Sequence, residues 1–218
     1  MKLLSCLLSK LALLVCGNEW IAVQRHLRHV KLKLEKAKES ERPPCTLKMM
    51  LVSGEDHRFF SHCGVDPIAV CRAIWRTTVC GQCEGASTIE MQLIRVLTAQ
   101  YQRNIVRKCR EVLLAVLLSK TVPKTDIASF YLYVAYYGSE LQGFSRAAKR
   151  LHILPNAMSL REAASLAARL KYPEPQDMSD RRRNQIEVRA DYLISRYNKY
   201  FKQEEITASL QQETHATI

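Results

Sequence analysis

Three short segments hold residues whose types and spacing could do chemistry: an acid beside a histidine, a capped helix start beside a cation, and a run of basic residues with one glutamate. In Glu55-Asp56-His57-Arg58-Phe59-Phe60-Ser61-His62-Cys63-Gly64, a continuous helical turn would set Glu55, Phe59 and His62 along one face, with Gly64 just past its end. An acid, an aromatic and a histidine would then converge at one place. An acidic first helical turn followed by a core phenylalanine would account for the same residues without any chemistry. In Gly85-Ala-Ser-Thr-Ile-Glu-Met-Gln-Leu-Ile-Arg95, a small-residue turn leads into a helix carrying Thr88, Gln92 and Arg95 on one face, with Ser87-x-x-Glu90 as a capping box. A capped helix N-terminus beside a cation is suited to holding phosphate. The third segment runs from Arg103 through Arg107-Lys108-Cys109-Arg110-Glu111 and places Arg107 and Glu111 at i,i+4. Ile105, Cys109, Val112 and Val116 would form its apolar stripe. On an open surface such an ion pair contributes only ~0.3–0.5 kcal/mol.

The elements that must position these residues are read as helices. The 218 residues, 47% of them hydrophobic, suffice for one well-packed domain and are too few for two ordinary ones. With only seven glycines and seven prolines and long Leu/Ala/Val/Arg/Glu stretches, the chain reads as all-α, without sandwich or barrel character. Ser159-x-x-Glu162 reads as a second capping box, and Gly64, Pro123, Gly138 and Pro173 punctuate helix ends. The 33 basic against 21 acidic residues give a formal charge of +12, which suits an anionic partner. Nucleic acid is not expected, because there is no zinc-finger spacing and no RNA-recognition aromatic motif. Among eight cysteines, the single C-x-x-C of Cys80 and Cys83, near His62 and Cys63, lacks a matching second pair. No metal site is expected, and the remaining cysteines read as small core hydrophobes.

Three segments are expected along the chain: residues 1–44, a catalytic domain over 45–200 and a polar tail over 201–218, read as a short helix with a frayed end. Leu3 to Val15 is apolar except for Ser5, Ser9 and Lys10, shorter than the ~20 residues needed to span a bilayer. Val15 before Cys16 is a poor cleavage context, so a retained or interfacial segment competes with a signal region. Trp20, Val23, Leu27, Val30 and Leu34 then recur at helical spacing, with Arg25, Arg28, Lys31, Lys33 and Lys36 on the remaining surface. That pattern fits a basic amphipathic helix on an anionic membrane or a helix packed on the domain. Glu41-Arg-Pro-Pro-Cys45 marks the entry to the domain.

In order and spacing, these segments resemble the peptidoglycan glycosyltransferase family, the transglycosylase module of class A penicillin-binding proteins and its monofunctional relatives. The family's E-D-x-x-F-x-x-H-x-G motif is complete at Glu55, Asp56, Phe59, His62 and Gly64. Its G-x-S-T-[IL]-x-Q-Q-L-x-K motif appears as Gly85, Ser87, Thr88, Ile89, Gln92, Leu93 and Arg95, with Met91 in place of the first glutamine. R-K-x-x-E falls on Arg107, Lys108 and Glu111, and Arg189 lies where the family carries a further phosphate-binding arginine. Tyr131-Leu132, Tyr137-Gly138 and Leu160-Arg-Glu-Ala-Ala-Ser-Leu-Ala167 leading to Pro173 extend the likeness over about Val52 to Ile194. The departures are Met91, Ser119 where an acid is usual, Tyr133 where asparagine is usual, and Leu151-His152-Ile153 for Tyr-Phe-Gly. No transpeptidase motif set follows.

The resemblance implies a lysozyme-like helical fold with a membrane-associated subdomain, built from the Ile68, Cys71, Ile74, Trp75 and Val79 stripe beside Arg72 and Arg76. The same stripe could face the core instead. It also implies polymerisation of lipid II onto a growing lipid-linked glycan at the extracytoplasmic face of the bacterial cytoplasmic membrane, with other cell-wall synthases as partners. In this scheme Glu55 is the base. Asp56, Phe59, His62, Gly64, Gly85, Ser87, Thr88 and Gln92 bind substrate, as do Arg95, Arg103, Arg107, Lys108 and Arg189. Glu111 orients the cations, and Mg²⁺ or another divalent cation rides on the substrate pyrophosphate. A lysozyme-like hydrolase would need two carboxylates and no row of cations, and a lipid II-binding protein without turnover would keep the fold.

Overall fold

The computed structural model describes residues 2–82, 85–102 and 104–202; the side chains of 2–6 and of Lys202 are excluded. Cys83, Arg103 and the tail from residue 203 lie outside the described residues. The described chain is all-α, as expected, and contains no strand. It divides into two compact units, Met1–Ala37 with Arg58–Ala135, and Lys38–His57 with Tyr136–Ile218.

In the first unit, α1 (Lys2–Lys36) packs on α5 (Ile105–Thr121), α4 (Ile89–Thr98) and α6 (Lys124–Val134). The helix is kinked at Cys16, where φ is −118° and ψ 20°. Trp20, Val23, Leu27 and Val30 are buried and the basic residues opposite are exposed, so this stripe belongs to the core of the unit. Glu19 pairs with Arg110 at 2.8 Å, and Ser9 accepts from Lys120 at 2.6 Å, tying α1 to α5 along its length. The outer face of the first turns, with Leu7, Leu11, Leu14 and Val15, stays exposed.

The expected stripe on α5 is only partly correct. Ile105 and Cys109 face solvent, and the helix buries Glu111, Leu114, Ala115, Val116, Leu117 and Leu118 further along. The first turn of α5 is spent on an Asn104 cap and on charge, so burial begins a turn later. On α3 (Pro67–Val79), capped by Asp66, Ala73 is buried while Ile68, Ile74, Trp75 and Val79 are each more than half exposed. The apolar stripe of α3 therefore does not face the core. Cys16 is buried, but Cys45, Cys71 and Cys109 are exposed, contrary to their reading as core residues; Cys63 and Cys80 are exposed as well.

In the second unit, α2 (Cys45–Glu55) packs against α8 (Leu160–Lys171) and α9 (Asp180–Tyr197), which also pack on each other. Ser159 and Glu162 form the expected capping box at the start of α8. A short α7 (Phe144–Arg150) buries Phe144, Ala147 and Ala148. Gly138, at φ +150°, lets its segment lie against Glu174, whose carbonyl oxygen would sit 2.3 Å from an added Cβ.

Candidate functional site

Three of the cations expected at the phosphate site, Arg95, Arg107 and Lys108, converge in the first unit on one carboxylate, whereas Arg189 pairs elsewhere, in the second unit. Arg95, in the last turn of α4, sends a two-pronged guanidinium to Glu111, with Nε to Oε2 at 3.2 Å and Nη2 to Oε1 at 2.9 Å. Arg107 donates to Oε2 from one turn earlier on α5, and Lys108 donates to Oε1 at 3.1 Å. Glu111 is 2% exposed, so an unpaired charge there would be strongly disfavoured. Burial alone would push its carboxyl up. Hydrogen bonds from Arg95 and Lys108, with the charges of both, outweigh that and hold it below the ordinary carboxylate range. Three cations on one carboxylate leave an excess of two positive charges.

Lys108 Nζ also donates to Ser87 Oγ at 2.8 Å, which ties α5 to the turn that opens α4. Burial, followed by the charges of Arg95 and Arg107, depresses the Lys108 ammonium below its ordinary value, and Glu111 pulls only partly the other way. The arrangement joins a helix N-terminus to a positively charged cluster, and such a surface can hold an anion. It offers a divalent cation no ligand set, because both oxygens of Glu111 are taken by cations.

Thr88, rather than Ser87, caps α4: its Oγ1 accepts from the Met91 N–H at 3.3 Å and donates to the Gly64 carbonyl at 2.7 Å. The expected capping box is not made there, because Glu90 turns inward. Its fully buried carboxylate takes Lys124, and burial raises its pKa against the opposing charges of Lys124 and His62. Lys124 lies 4.4 Å from the centre of the Phe59 ring. Gly64 sits at φ +90°, and an added Cβ would be 2.3 Å from the Ala115 carbonyl oxygen. Gln92 accepts from the Tyr131 hydroxyl at 2.6 Å. Phe59, His62 and Thr88 are buried, so these residues brace the unit. Gly85 has open space where a side chain would stand.

Glu55, Phe59 and His62 do not share one helix as expected. Helix α2 stops at Glu55, Asp56 turns the backbone at φ −156° and ψ 69°, and Phe59 opens a separate short 3-10 turn. Aspartate competes with helical hydrogen bonding through its own side chain and so favours such boundaries. In the second unit, Glu55 receives Arg189 Nη2 on Oε1 at 2.7 Å and keeps 21% of its side chain exposed. Asp56 is buried at the cap of α2. The sequence reading missed Gly54, Lys124 and Arg196, whose partners are distant in the chain and leave no periodic signal.

The sequence profile of the transglycosylase family matches residues 24–198. Penicillin-binding protein 1A of Haemophilus influenzae is 34% identical over 163 residues, covering 72% of this chain and 19% of that protein. The protein of the same name from Aquifex aeolicus is 38% identical over 126 residues, covering 56% and 17%. That from Neisseria flavescens is 35% identical over 132 residues, covering 60% and 16%. The chain thus spans about a fifth or less of the length of the curated relatives it matches. With the profile covering most of the sequence, and with the motif residues Arg95, Arg107, Lys108 and Glu111 gathered on α4 and α5, the chain belongs to the transglycosylase family, the peptidoglycan glycosyltransferases.

Proposed function

We propose that the protein polymerises lipid II into β-1,4-linked glycan strands, releasing undecaprenyl pyrophosphate with inversion at the donor anomeric carbon. The observation that carries this reading is the Glu111 cluster, in which Arg95, Arg107 and Lys108 are pre-assembled with an excess of positive charge. Pyrophosphate is already a good leaving group, and what it needs is stabilisation of the charge that develops as its bond to the sugar breaks. Cations fixed before the reaction supply that stabilisation without reorganising. The attacking 4-hydroxyl of the acceptor sugar must lose its proton, and Glu55 takes it. A divalent cation would enter on the substrate's own pyrophosphate.

The reaction is placed at the extracytoplasmic face of the bacterial cytoplasmic membrane. Among the described residues no helix is long and apolar enough to cross a membrane. Ile68, Ile74, Trp75 and Val79 on α3 nevertheless stand in solvent, as do Leu7, Leu11 and Leu14 on α1. Each large apolar side chain left in water forgoes roughly 1.5–3 kcal/mol of burial, so these faces suit a lipid surface.

The test is polymerisation of purified lipid II with Mg²⁺ in detergent or vesicles, with glycan strands separated afterwards. Wild-type protein should form strands and release undecaprenyl pyrophosphate, and Glu55→Gln should lose roughly 10²–10⁴-fold of the rate while still binding lipid II. Cleavage of finished glycan would indicate a hydrolase instead. Binding without any strand formation by the wild type would indicate a lipid II-binding protein.

A further inference from the structure

The end of α2 poses two physical problems in three residues. The last carbonyls of a helix have no partner within it, and a carboxylate in the last turn faces the negative end of the helix dipole. Both problems meet at Ser53, Gly54 and Glu55, and both are answered by α9. Arg189 Nη2 donates to the Gly54 carbonyl at 3.2 Å as well as to Glu55 Oε1 at 2.7 Å. Two helical turns further on, Arg196 Nε donates to the Ser53 carbonyl at 3.3 Å.

The two arginines are themselves held. Tyr192 has Arg189 over its ring at 4.8 Å and Arg196 at 5.8 Å. Arg196 also covers Tyr200 at 4.6 Å, and Tyr200 stacks on His57 at 5.2 Å, two residues beyond Glu55. Gly54 makes this approach possible: an added Cβ would stand 1.9 Å from Leu193 Cδ2, and Leu193 is buried on α9. The Arg189 Nε is enclosed without a hydrogen-bond partner, so that guanidinium has little freedom to turn elsewhere.

We propose that Arg189 and Arg196 form a clamp that positions the Glu55 carboxylate for proton transfer. Arg196 fixes the backbone from which Glu55 projects, and Arg189 holds the carboxylate itself. The inference rests on the reading of Glu55 as general base. It makes Arg189 a positioning residue instead of the phosphate ligand its place in the sequence implied, and it adds Arg196 and Gly54, which no motif marks.

The experiment is steady-state polymerisation of lipid II by the full chain, with thermal unfolding measured in parallel. Misplacing a reacting group by about 1 Å can cost 10²-fold, so Arg189→Met should lower kcat by roughly that factor and Arg196→Met by about tenfold. KM for lipid II should stay within about twofold in both, since binding is separable from positioning. Gly54→Ala should follow Arg196→Met. A raised KM with kcat kept in Arg189→Met would return that residue to the phosphate site and overturn the clamp. So would an unchanged kcat in Arg196→Met, whatever its melting temperature. If Arg189→Met does not fold, Arg189→Lys, which keeps the charge but loses the fork, gives the same readout of kcat against KM. Glu55→Gln run alongside separates the two ideas. An active Glu55→Gln removes the base reading, whereas a dead Glu55→Gln with a fully active Arg196→Met leaves the base and removes the clamp.

Discussion

Glu111 in the first unit has 2% of its side chain exposed and takes Arg95, Arg107 and Lys108 across both oxygens, whereas Glu55 in the second has 21% exposed and receives Arg189 on one oxygen. A carboxylate committed on both oxygens, with its affinity for protons pushed down, is a poor proton acceptor and a good anchor for cations. One that keeps contact with solvent can exchange a proton. The difference fits the proposed division of labour, in which Glu111 organises charge and Glu55 takes the proton, although both glutamates are paired with arginine.

The sharpest way to break this comparison is to remove each carboxylate's charge in turn. Glu55→Gln should give the largest loss, roughly 10²–10⁴-fold in kcat with the melting temperature little changed. Glu111→Gln should retain measurable turnover but unfold more easily, because it leaves Arg95, Arg107 and Lys108 facing one another. Breaking such a buried pair costs about 3–5 kcal/mol. An active Glu55→Gln beside a dead but well-folded Glu111→Gln would reverse the assignment. Next in size, Arg95→Ala should weaken donor binding by about 1.5–3 kcal/mol, measured as a shift in the dissociation constant for lipid II. Unchanged binding would show that Arg95 serves Glu111 alone.

Acid and alkali sharpen the same contrast. The Glu111 carboxyl is held lower in the folded state than in the unfolded chain, so as pH falls the unfolded chain takes up the proton first. Its stabilisation is therefore complete above the ordinary carboxylate range and is lost as pH falls through the lowered value. Acid unfolding of Glu111→Gln should accordingly be less steep than that of the wild type. The depressed Lys108 ammonium loses its charge before an ordinary lysine would as pH rises, and donor affinity should fall on the alkaline side. Lys108→Arg, which stays charged, should extend affinity to higher pH. The smallest effect on the fold is expected from Ile74→Ser with Trp75→Ser on the exposed face of α3, where vesicle co-sedimentation should drop and the melting temperature should hold.

Much of the cluster was legible in the sequence because its key spacing is local. Arg107 and Lys108 reach Glu111 within one turn of α5, and helical periodicity alone places them together. The contribution of Arg95 to that carboxylate was not legible, since it crosses from another helix 16 residues away. The all-α class followed from composition, but the helix drawn through Glu55 to His62 did not survive Asp56, whose backbone leaves the helical region. The apolar stripe on α3 was equally visible in either reading. Periodicity says that a face is apolar without saying what covers it, and only the fold showed that the unit's core does not. The Glu90–Lys124 pair stayed hidden because it looked like half of a cap.

The single hydroxyl of Thr88 spans 24 residues of sequence to hold the Gly64 carbonyl, while the backbone of Gly64 lies against that of Ala115 in α5. The segments around residues 64, 88 and 115 are thereby fastened at one point. They should open to solvent as one cooperative unit, with the Met91 amide, whose acceptor is that same hydroxyl, reporting the event in hydrogen exchange. Slow exchange at Met91 and at the neighbouring α4 amides should then share one opening free energy with the buried middle of α5, and Thr88→Val should release Met91 ahead of the rest.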